Sequence, residues 1–138
     1  MEFIRVLADR FSELCALQLA YKAEIGEERP TEEELSRLRE AMEAGQILFF
    51  GCLREGQLVA CCSVTRGFST FDYRPSGVFE DFYILPACRR QGIAGQLVRF
   101  AYRESGVSSL TVGCADCDVE MYRALGFSVP LGNLLAFE

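Results

Sequence analysis

Residues 86–96 read PACRRQGIAGQ and connect an apolar run at 78–85 to a helical pattern. A strand that ends at a proline and turns through small residues into a helix leaves several backbone N–H groups unpaired. These donors and the positive end of the helix dipole favour a diphosphate. Small residues at 92, 94 and 95 let phosphate approach the backbone closely. The stretch therefore predicts a strand, a phosphate-binding turn and a helix.

Two interpretations of this turn stay open at the level of the motif alone. Arg89 and Arg90 add charge where phosphate would bind, but a solvated basic turn between a strand and a helix has the same sequence features. Two other phosphate motifs are excluded. No Gly-Lys-Ser/Thr follows the turn, and the pattern Gly-x-Gly-x-x-Gly is absent.

A second segment makes the first more specific. The chain runs EDFYILP over residues 80–86 into Arg89-x-x-Gly92-x-Ala94, and Tyr122-x-x-x-Gly126-Phe127 follows downstream. This pair of segments resembles the GNAT superfamily of acetyl-CoA-dependent N-acetyltransferases. The order and spacing match over roughly residues 78 to 127, and the rest of the chain fits the layout more loosely.

The resemblance implies acetyl-CoA as a cosubstrate and no metal. The turn becomes the pyrophosphate loop, and the pantetheine arm is expected to pair with the backbone of the preceding strand, since an extended amide chain can satisfy unpaired strand groups. The implied coenzyme-binding residues are Phe82, Tyr83, Ile84, Arg89, Arg90, Gln91, Gly92, Ile93, Ala94, Gly95 and Gln96. Ala115 stands where many family members have an asparagine, and Asp118 replaces a common alanine. Asp118 is expected to cap its helix.

Transfer to an amine requires a group that accepts a proton and a group that donates one. The chain has no histidine, so carboxylate, tyrosine or water must act. Strand alternation predicts that Glu80 and Asp81 point to opposite faces. The resemblance favours Glu80 as base, commonly through water, and Tyr122 as acid. Asp81 is a second candidate, and a structural carboxylate or a core tyrosine is the alternative at these positions.

The acceptor is the part of the function on which the sequence says least. The resemblance places it between the first two helices and the connection at 67–77. Candidate acceptor-binding residues are Tyr21, Asp72, Tyr73 and Asp81. The glutamates at 24, 27 and 28 also fit a cationic amine, although such a run is more often a solvated face. We expect a small-molecule amine. A protein or peptide N-acetyltransferase, a non-catalytic acyl-CoA sensor and a scaffold domain remain as alternatives.

Periodicity along the chain predicts a single α/β (α+β) domain over residues 1–138. Strand patterns cover 2–7, 47–53, 58–65, 78–85, 109–114, 127–129 and 134–137, and residues 54–57, Arg-Glu-Gly-Gln, predict a hairpin turn between the second and the third. Helical patterns cover 9–21, the segment after a capping box at Thr31, 93 to Gly106, and 117–125. The expected architecture is a mixed, mostly antiparallel sheet with about four helices. The resemblance implies that this sheet is splayed at the coenzyme site.

Composition excludes several classes of function. The net charge is −6 with no basic tail, which argues against nucleic acid as the main partner. No apolar run approaches the ~18–20 residues that span a bilayer, and the N-terminus does not resemble a secretory signal. A cytoplasmic enzyme without a membrane partner is expected. Many members of the family that the chain resembles pair through exposed sheet edges, so a homodimer through the final strands is an open alternative.

Cysteine usage fits the same setting. Cys114-x-x-Cys117 has the spacing of a metal or redox motif, but there is no second pair and no histidine. Several of the other cysteines lie in apolar strand patterns, where the side chain acts as a small hydrophobe. We therefore expect free thiols and no metal site.

Overall fold

A hairpin of two apolar strands forms the centre of the fold. In the computed structural model, which describes residues 1–138, β2 (Ile47–Arg54) and β3 (Gln57–Ser69) pair antiparallel. Both strands are rich in bulky and β-branched residues, which suit a pleated, buried surface. Glu55 and Gly56 join them with φ angles of 52° and 77°, as in a tight two-residue hairpin turn. The predicted turn is therefore confirmed.

Three further strands complete one sheet in the order β1-β2-β3-β4-β5. β1 (Glu2–Val6) pairs antiparallel with β2, and β4 (Arg74–Ile84) pairs antiparallel with β3. β5 (Ser109–Thr111) pairs parallel with β4. The predicted α/β class, with a mixed and mostly antiparallel sheet, is confirmed.

Helices cover both faces of this sheet. α1 (Phe11–Glu24) and α2 (Glu32–Glu43) lie on one face. α3 (Ile93–Ser105) lies on the other, and α4 (Val119–Ala124) is followed by residues that pack on the α3 side. Each face has its own core, because the side chains of the inner strands alternate between the two faces. The predicted number of helices is confirmed.

Local signals explain where the helices begin and end. Thr31 Oγ1 accepts a hydrogen bond from the Glu34 N–H, and the Glu34 carboxylate accepts one from the Thr31 N–H, which confirms the capping box. α3 ends at Gly106, whose φ of 71° suits glycine. Asp118 occupies the N-cap position of α4 but makes no side-chain capping bond, so that prediction is wrong. Short 3₁₀ turns cover Ala8–Arg10, Pro86–Cys88 and Asp116–Asp118.

Cysteines contribute to both cores as small apolar side chains, as expected. Cys62 is buried on the α3 side, and its neighbour Cys61 is buried on the α1 side. Cys52 and Cys88 are also buried. Burial raises the pKa of the Cys61 and Cys62 thiols above the ordinary value of 9.0, with the Asp81 charge adding to the effect at both.

The sheet opens between its last two strands. β4 and β5 pair only over Ser76↔Ser109, Gly77↔Leu110 and Val78↔Thr111. β5 then ends, while β4 continues to Ile84. Beyond Val78, β4 is therefore paired with β3 alone, and its other edge has no strand partner. This is the splay that the resemblance implies.

The structure corrects two predicted connections. The expected polar connection at 67–77 is mostly strand, because β3 extends to Ser69 and β4 begins at Arg74. The expected strand pair at 127–129 and 134–137 is absent, since residues 127–138 form neither helix nor strand. β5 is only three residues long, so it offers little ladder on which a further strand could pair. Leu134 is 94% exposed and Phe137 fully exposed.

Candidate active site

The turn before α3 presents a row of free backbone donors. Six consecutive N–H groups, from residues 90–95, donate to no acceptor in the protein. The first turn of any helix has such donors, and here the row extends back into the turn. Arg90 has a φ of 63° and Gly92 a φ of 81°, so residues with left-handed backbone alternate with ordinary ones. Such an arrangement is typical of anion-binding backbone concavities.

The carbonyl groups around this turn are occupied by side chains. Arg89 Nε donates to the Ile84 carbonyl at 2.8 Å. Gln91 Nε2 donates to the Ala87 carbonyl at 3.3 Å, and the side-chain oxygen Oε1 of Gln91 accepts from Arg54 Nη2. Gln96 Nε2 donates to the Gly92 carbonyl at 2.9 Å. The turn is thus held by bonds to its acceptors, which leaves its donors available to a ligand.

The two arginines of the turn have different surroundings. Arg90 is exposed and makes no ion pair or hydrogen bond through its side chain. Arg89 forms an ion pair with Glu24 at 2.8 Å, and its guanidinium lies 5.5 Å from the centre of the Tyr83 ring. The structure therefore leaves one free cation at the turn, where the sequence predicted two.

A β-bulge in β4 changes the predicted orientation of the two carboxylates. The register with β3 shifts between Cys61 and Ser63, and Asp81 has a φ of 54°. Glu80 is the cross-strand partner of Ser63 and shares its face, and the Ser63 hydroxyl donates to Asp81 Oδ2 at 2.6 Å. Glu80 and Asp81 therefore lie on the same face, the α1 side. The prediction of opposite faces is wrong because the extra residue in the bulge breaks the alternation.

Tyr21 on α1 faces these carboxylates. Its ring packs on the Tyr83 ring at 6.1 Å between centres. Burial, followed by the nearby charges of Asp81, Glu27 and Glu80, raises the pKa of the Tyr21 phenol, partly offset by Lys22. The phenol is therefore neutral at ordinary pH and can donate a hydrogen bond. Glu80 is exposed, whereas Ser63 beneath Asp81 is fully buried.

Tyr122 lies on the opposite face of β4 in an aromatic cluster. Its ring is 6.4 Å from Phe82, 6.5 Å from Phe79 and 5.8 Å from Phe127. Burial raises the pKa of Tyr122 to about 12, with smaller effects of Tyr21, Asp118 and Cys114. Its hydroxyl forms no hydrogen bond within the protein and is not fully buried, and its raised pKa keeps it protonated far above neutral pH.

Two predicted acceptor residues lie elsewhere. Asp72 and Tyr73 are at the tip of the β3–β4 hairpin, six or more residues from Glu80 along β4, or about 20 Å at roughly 3.3 Å per residue. Asp72 accepts hydrogen bonds from the Ser108 hydroxyl and the Arg74 N–H. Tyr73 is 73% exposed and packs on Phe68. The structure does not bring them to the carboxylates, so their role stays a prediction.

One residue of this region was missed by the sequence analysis. Ser63 is fully buried and holds Asp81, yet it reads as an ordinary small residue in an apolar strand. A signal was present, because Ser63 is the one hydroxyl in the run from 58 to 64 and faces the strand that carries both acids. A buried hydroxyl needs a partner, and the partner here is a carboxylate.

The splayed sheet and the turn of free donors together define a coenzyme-binding acyltransferase fold. A sequence model described as an acetyltransferase (GNAT) domain matches residues 45–129, which is more than half of the chain. The chain belongs to the GNAT acetyltransferase family. It is an acetyl-CoA-dependent acetyltransferase. No curated protein matches the chain by sequence.

Solved structures of similar fold are also acetyltransferases. A probable acetyltransferase superposes with a TM-score of 0.83 at 18% identity, over 100% of this chain and 99% of its own. An aminoglycoside acetyltransferase from an uncultured soil metagenomic sample, in complex with sisomicin, superposes with a TM-score of 0.83 at 15% identity, over 99% of this chain and 94% of its own. A predicted acetyltransferase from Clostridium acetobutylicum, solved with acetyl-CoA, superposes with a TM-score of 0.78 at 16% identity, over 99% of this chain and 95% of its own. At these identities the likeness shows the fold.

The site fits acetyl-CoA in two respects. The row of N–H donors at 90–95, with Arg90 beside it, suits a diphosphate. The unpaired edge of β4 beyond Val78 suits an extended arm that carries amide groups. No three histidine, cysteine, aspartate or glutamate side chains converge as metal ligands. None of the helices combines the length and the apolar character that crossing a bilayer requires.

Proposed function

We propose that the enzyme acetylates a primary amine of a small molecule by direct attack of the amine on the thioester. The observation that carries this proposal is the arrangement around the open end of β4. Two carboxylates lie on its α1 face and a protonated tyrosine lies on its α3 face. A proton acceptor and a proton donor thus flank the strand edge on which the coenzyme arm fits.

Coenzyme binding is assigned to backbone more than to side chains. The N–H groups of residues 90–95 and the guanidinium of Arg90 would hold the diphosphate, and the backbone of Phe82, Tyr83 and Ile84 would hold the arm. Bound acetyl-CoA supplies an activated acetyl thioester. Ile93 is fully buried, so its contribution is its N–H and its packing under the turn. Gln91 and Gln96 shape the turn through their own hydrogen bonds.

Glu80 is assigned the role of base. It is exposed on the α1 face, so water can lie between its carboxylate and an incoming ammonium group and carry the proton. Asp81 is assigned to acceptor binding, because its Oδ2 is fixed by Ser63 and its charge faces Tyr21. A fixed carboxylate beside a neutral phenol suits a cationic group that also donates hydrogen bonds.

Tyr122 is assigned the role of acid. Its pKa of about 12 keeps a proton on the hydroxyl oxygen at the pH at which the enzyme works. A departing thiolate needs such a proton, and a neutral phenol in an apolar cluster can give one. The aromatic neighbours Phe79, Phe82 and Phe127 fix the ring, so the hydroxyl is the only polar part of this cluster.

A small molecule is favoured over a peptide as the acceptor. Two structures of similar fold are aminoglycoside acetyltransferases, one with sisomicin and one with a bisubstrate analogue. The carboxylates of the α1 face fit the positive charge of such amines. A peptide N-acetyltransferase and a non-catalytic acyl-CoA sensor are the alternatives that the experiment below separates.

The test is calorimetric titration with acetyl-CoA, followed by a thiol-release assay over a panel of aminoglycosides, diamines, amino acids and peptide N-termini. Micromolar binding and release of CoA with a small amine would support the proposal. Release with peptides alone would contradict the small-molecule assignment, and binding without release across the panel would favour the sensor. Gly92→Val is the matched variant for the loop. The valine side chain lies where the phosphate must approach the backbone, and a β-branched residue is strained at a φ of 81°. Acetyl-CoA should therefore bind at least tenfold more weakly.

A homodimer remains part of the proposal. The C-terminal segment exposes Val129, Leu131, Leu134, Leu135 and Phe137. Burial of these five apolar side chains against a second copy would remove them from water. Light scattering of the full chain, compared with a chain ending at Ser128, tests this. A monomer in both cases would contradict it.

A further inference from the structure

Arg89 is engaged by the protein on several sides. Its Nε donates to the Ile84 carbonyl at 2.8 Å, and its Nη2 donates to both carboxylate oxygens of Glu24, at 2.8 and 2.9 Å. One face of the guanidinium lies over the Tyr83 ring at 5.5 Å. The planar guanidinium suits this combination, because a fork of donors and a stacking face can be used together.

The ion pair between Arg89 and Glu24 connects the coenzyme loop to the end of α1. Glu24 is the last residue of α1, where the chain leaves the helix toward the acceptor side. Tyr21 lies one turn earlier on the same face of α1 and packs on Tyr83. The end of α1 is thus attached to β4 and to the turn by two neighbouring side chains, Tyr21 through Tyr83 and Glu24 through Arg89.

Arg90, the next residue, shows the contrast. Its side chain is exposed and makes no ion pair, and its backbone N–H begins the row of free donors. Arg89, by comparison, has a backbone N–H that bonds to the Pro86 carbonyl and a side chain that is already occupied. Of the two arginines in the motif, only Arg90 is free to meet a diphosphate.

We propose that Arg89 is a positioning residue and that Glu24, Arg89 and the Ile84 carbonyl form a bracket. The bracket fixes the beginning of the coenzyme loop and ties it to the end of α1. This inference rests on the proposed coenzyme site, and it gives Arg89 a role other than that of a diphosphate ligand. It also assigns Glu24, which the sequence placed among possible acceptor contacts, to the coenzyme side of the enzyme.

The sign of one substitution separates the two roles of Arg89. If the bracket is correct, Glu24→Gln weakens acetyl-CoA binding about three- to tenfold, because the loop loses its attachment. If Arg89 is a diphosphate ligand, Glu24 competes with the phosphate for it, and Glu24→Gln strengthens binding. The measurement is the Kd for acetyl-CoA by calorimetry at fixed ionic strength.

Two further variants sharpen the test. Arg89→Lys keeps the charge but cannot make both sets of bonds, so we expect weaker acetyl-CoA binding. The double variant with Glu24→Gln should have a Kd for acetyl-CoA no higher than that of the single variant that binds more weakly. Arg90→Gln should add its own loss to that of Glu24→Gln, because it lies outside the bracket. Glu33→Gln removes an exposed ion pair on α2 and serves as the control.

Steady-state kinetics provide a readout that a general loss of structure would not give. The bracket variants should raise the KM for acetyl-CoA while kcat at saturating acetyl-CoA stays within about twofold. An unchanged or lower Kd in Glu24→Gln overturns the bracket while the coenzyme site stands. Absence of acetyl-CoA binding by the wild-type protein overturns the coenzyme site itself, and the bracket with it.

Discussion

The two faces of β4 beyond Val78 differ in what they offer to a reaction. The α1 face carries Glu80 and Asp81, with a buried serine hydroxyl beneath them. The α3 face carries Phe79 and Phe82, packed against a tyrosine whose pKa is raised to about 12. One strand therefore separates a charged face from an apolar one. The difference teaches that the fold keeps the carboxylates apart from the neutral phenol, since the same burial that keeps Tyr122 neutral would penalise a carboxylate.

The largest effect is expected on the apolar face. Tyr122→Phe removes only the hydroxyl, so turnover should fall at least tenfold, toward the roughly 100-fold that is the lower end of the range for loss of a general acid. Binding of acetyl-CoA should change less than twofold, because the ring and its packing remain. Thiol release and calorimetry measure the two quantities. Tyr102→Phe, a change at an exposed tyrosine on α3, is the control, and full activity of Tyr122→Phe would remove this residue from the mechanism.

The two carboxylates of the charged face should respond differently. Glu80→Gln should lower kcat about tenfold with little change in the KM for the amine, because this carboxylate is the proposed proton acceptor. Asp81→Asn should mainly raise the KM for the amine, because this carboxylate is fixed by Ser63. The measurement is a kcat and KM comparison with the amine found in the panel. The reverse pattern would exchange the two roles.

Adjacent thiols, one on each face, make stability depend on alkaline pH. The pKa values of Cys61 and Cys62 are raised in the folded state, so the unfolded chain loses these protons first, from about pH 9 upward. The contribution of these thiols to the free energy of unfolding is therefore full well below pH 9 and falls above it, by roughly 1.4 kcal/mol per thiol at pH 10. Urea unfolding between pH 7 and 10 tests this.

Two variants test whether a buried thiol causes the loss of stability at alkaline pH. Cys62→Ala should lower stability at pH 7, because it leaves a small cavity, but it should flatten the alkaline decline. Cys114→Ala changes an exposed thiol and should leave the decline as it is. A decline of equal steepness in wild type and Cys62→Ala would show that burial of this thiol is not its cause.

The smallest effect is expected beneath the charged face. Ser63→Ala removes the hydrogen bond that fixes Asp81, so the KM for the amine should rise about threefold, or roughly 0.7 kcal/mol. Ser105→Ala is a matched control, since this serine is also buried but donates to the Tyr102 carbonyl within α3. Equal effects of the two substitutions on KM would leave Ser63 with a purely structural role.

Most of the fold follows from local sequence signals. The hairpin at 54–57, the capping box at Thr31 and the glycine after α3 each act over a few residues, and all are found where predicted. The final strands were predicted from alternating apolar residues at 127–137, but this segment forms no strand, and β5 offers only three residues for pairing. Strand pairing depends on a distant partner, which a local pattern does not contain.

The candidate site was predictable in its components but less so in its geometry. The loop motif indicated the right turn, yet the ion pair of Arg89 with Glu24 joins residues 65 positions apart. The bulge at Asp81 leaves no mark in the sequence either, because aspartate has no special need for a bulge and no glycine stands there. Both features arise from contacts between elements that are distant in sequence. The local pattern therefore predicted Arg89 as a diphosphate ligand and Asp81 on the face opposite Glu80.

The row of free donors at 90–95 has a consequence for which substitutions the turn tolerates. Every amino acid except proline carries a backbone N–H, so the donors survive almost any substitution in the turn. A proline would remove a donor, and a residue that cannot adopt the left-handed φ of 63° at position 90 or 81° at position 92 would displace the row. The donors thus depend less on the exposed side chains of the turn than a side-chain ligand would, whereas Arg89, Gln91 and Gln96 hold the turn through their own hydrogen bonds.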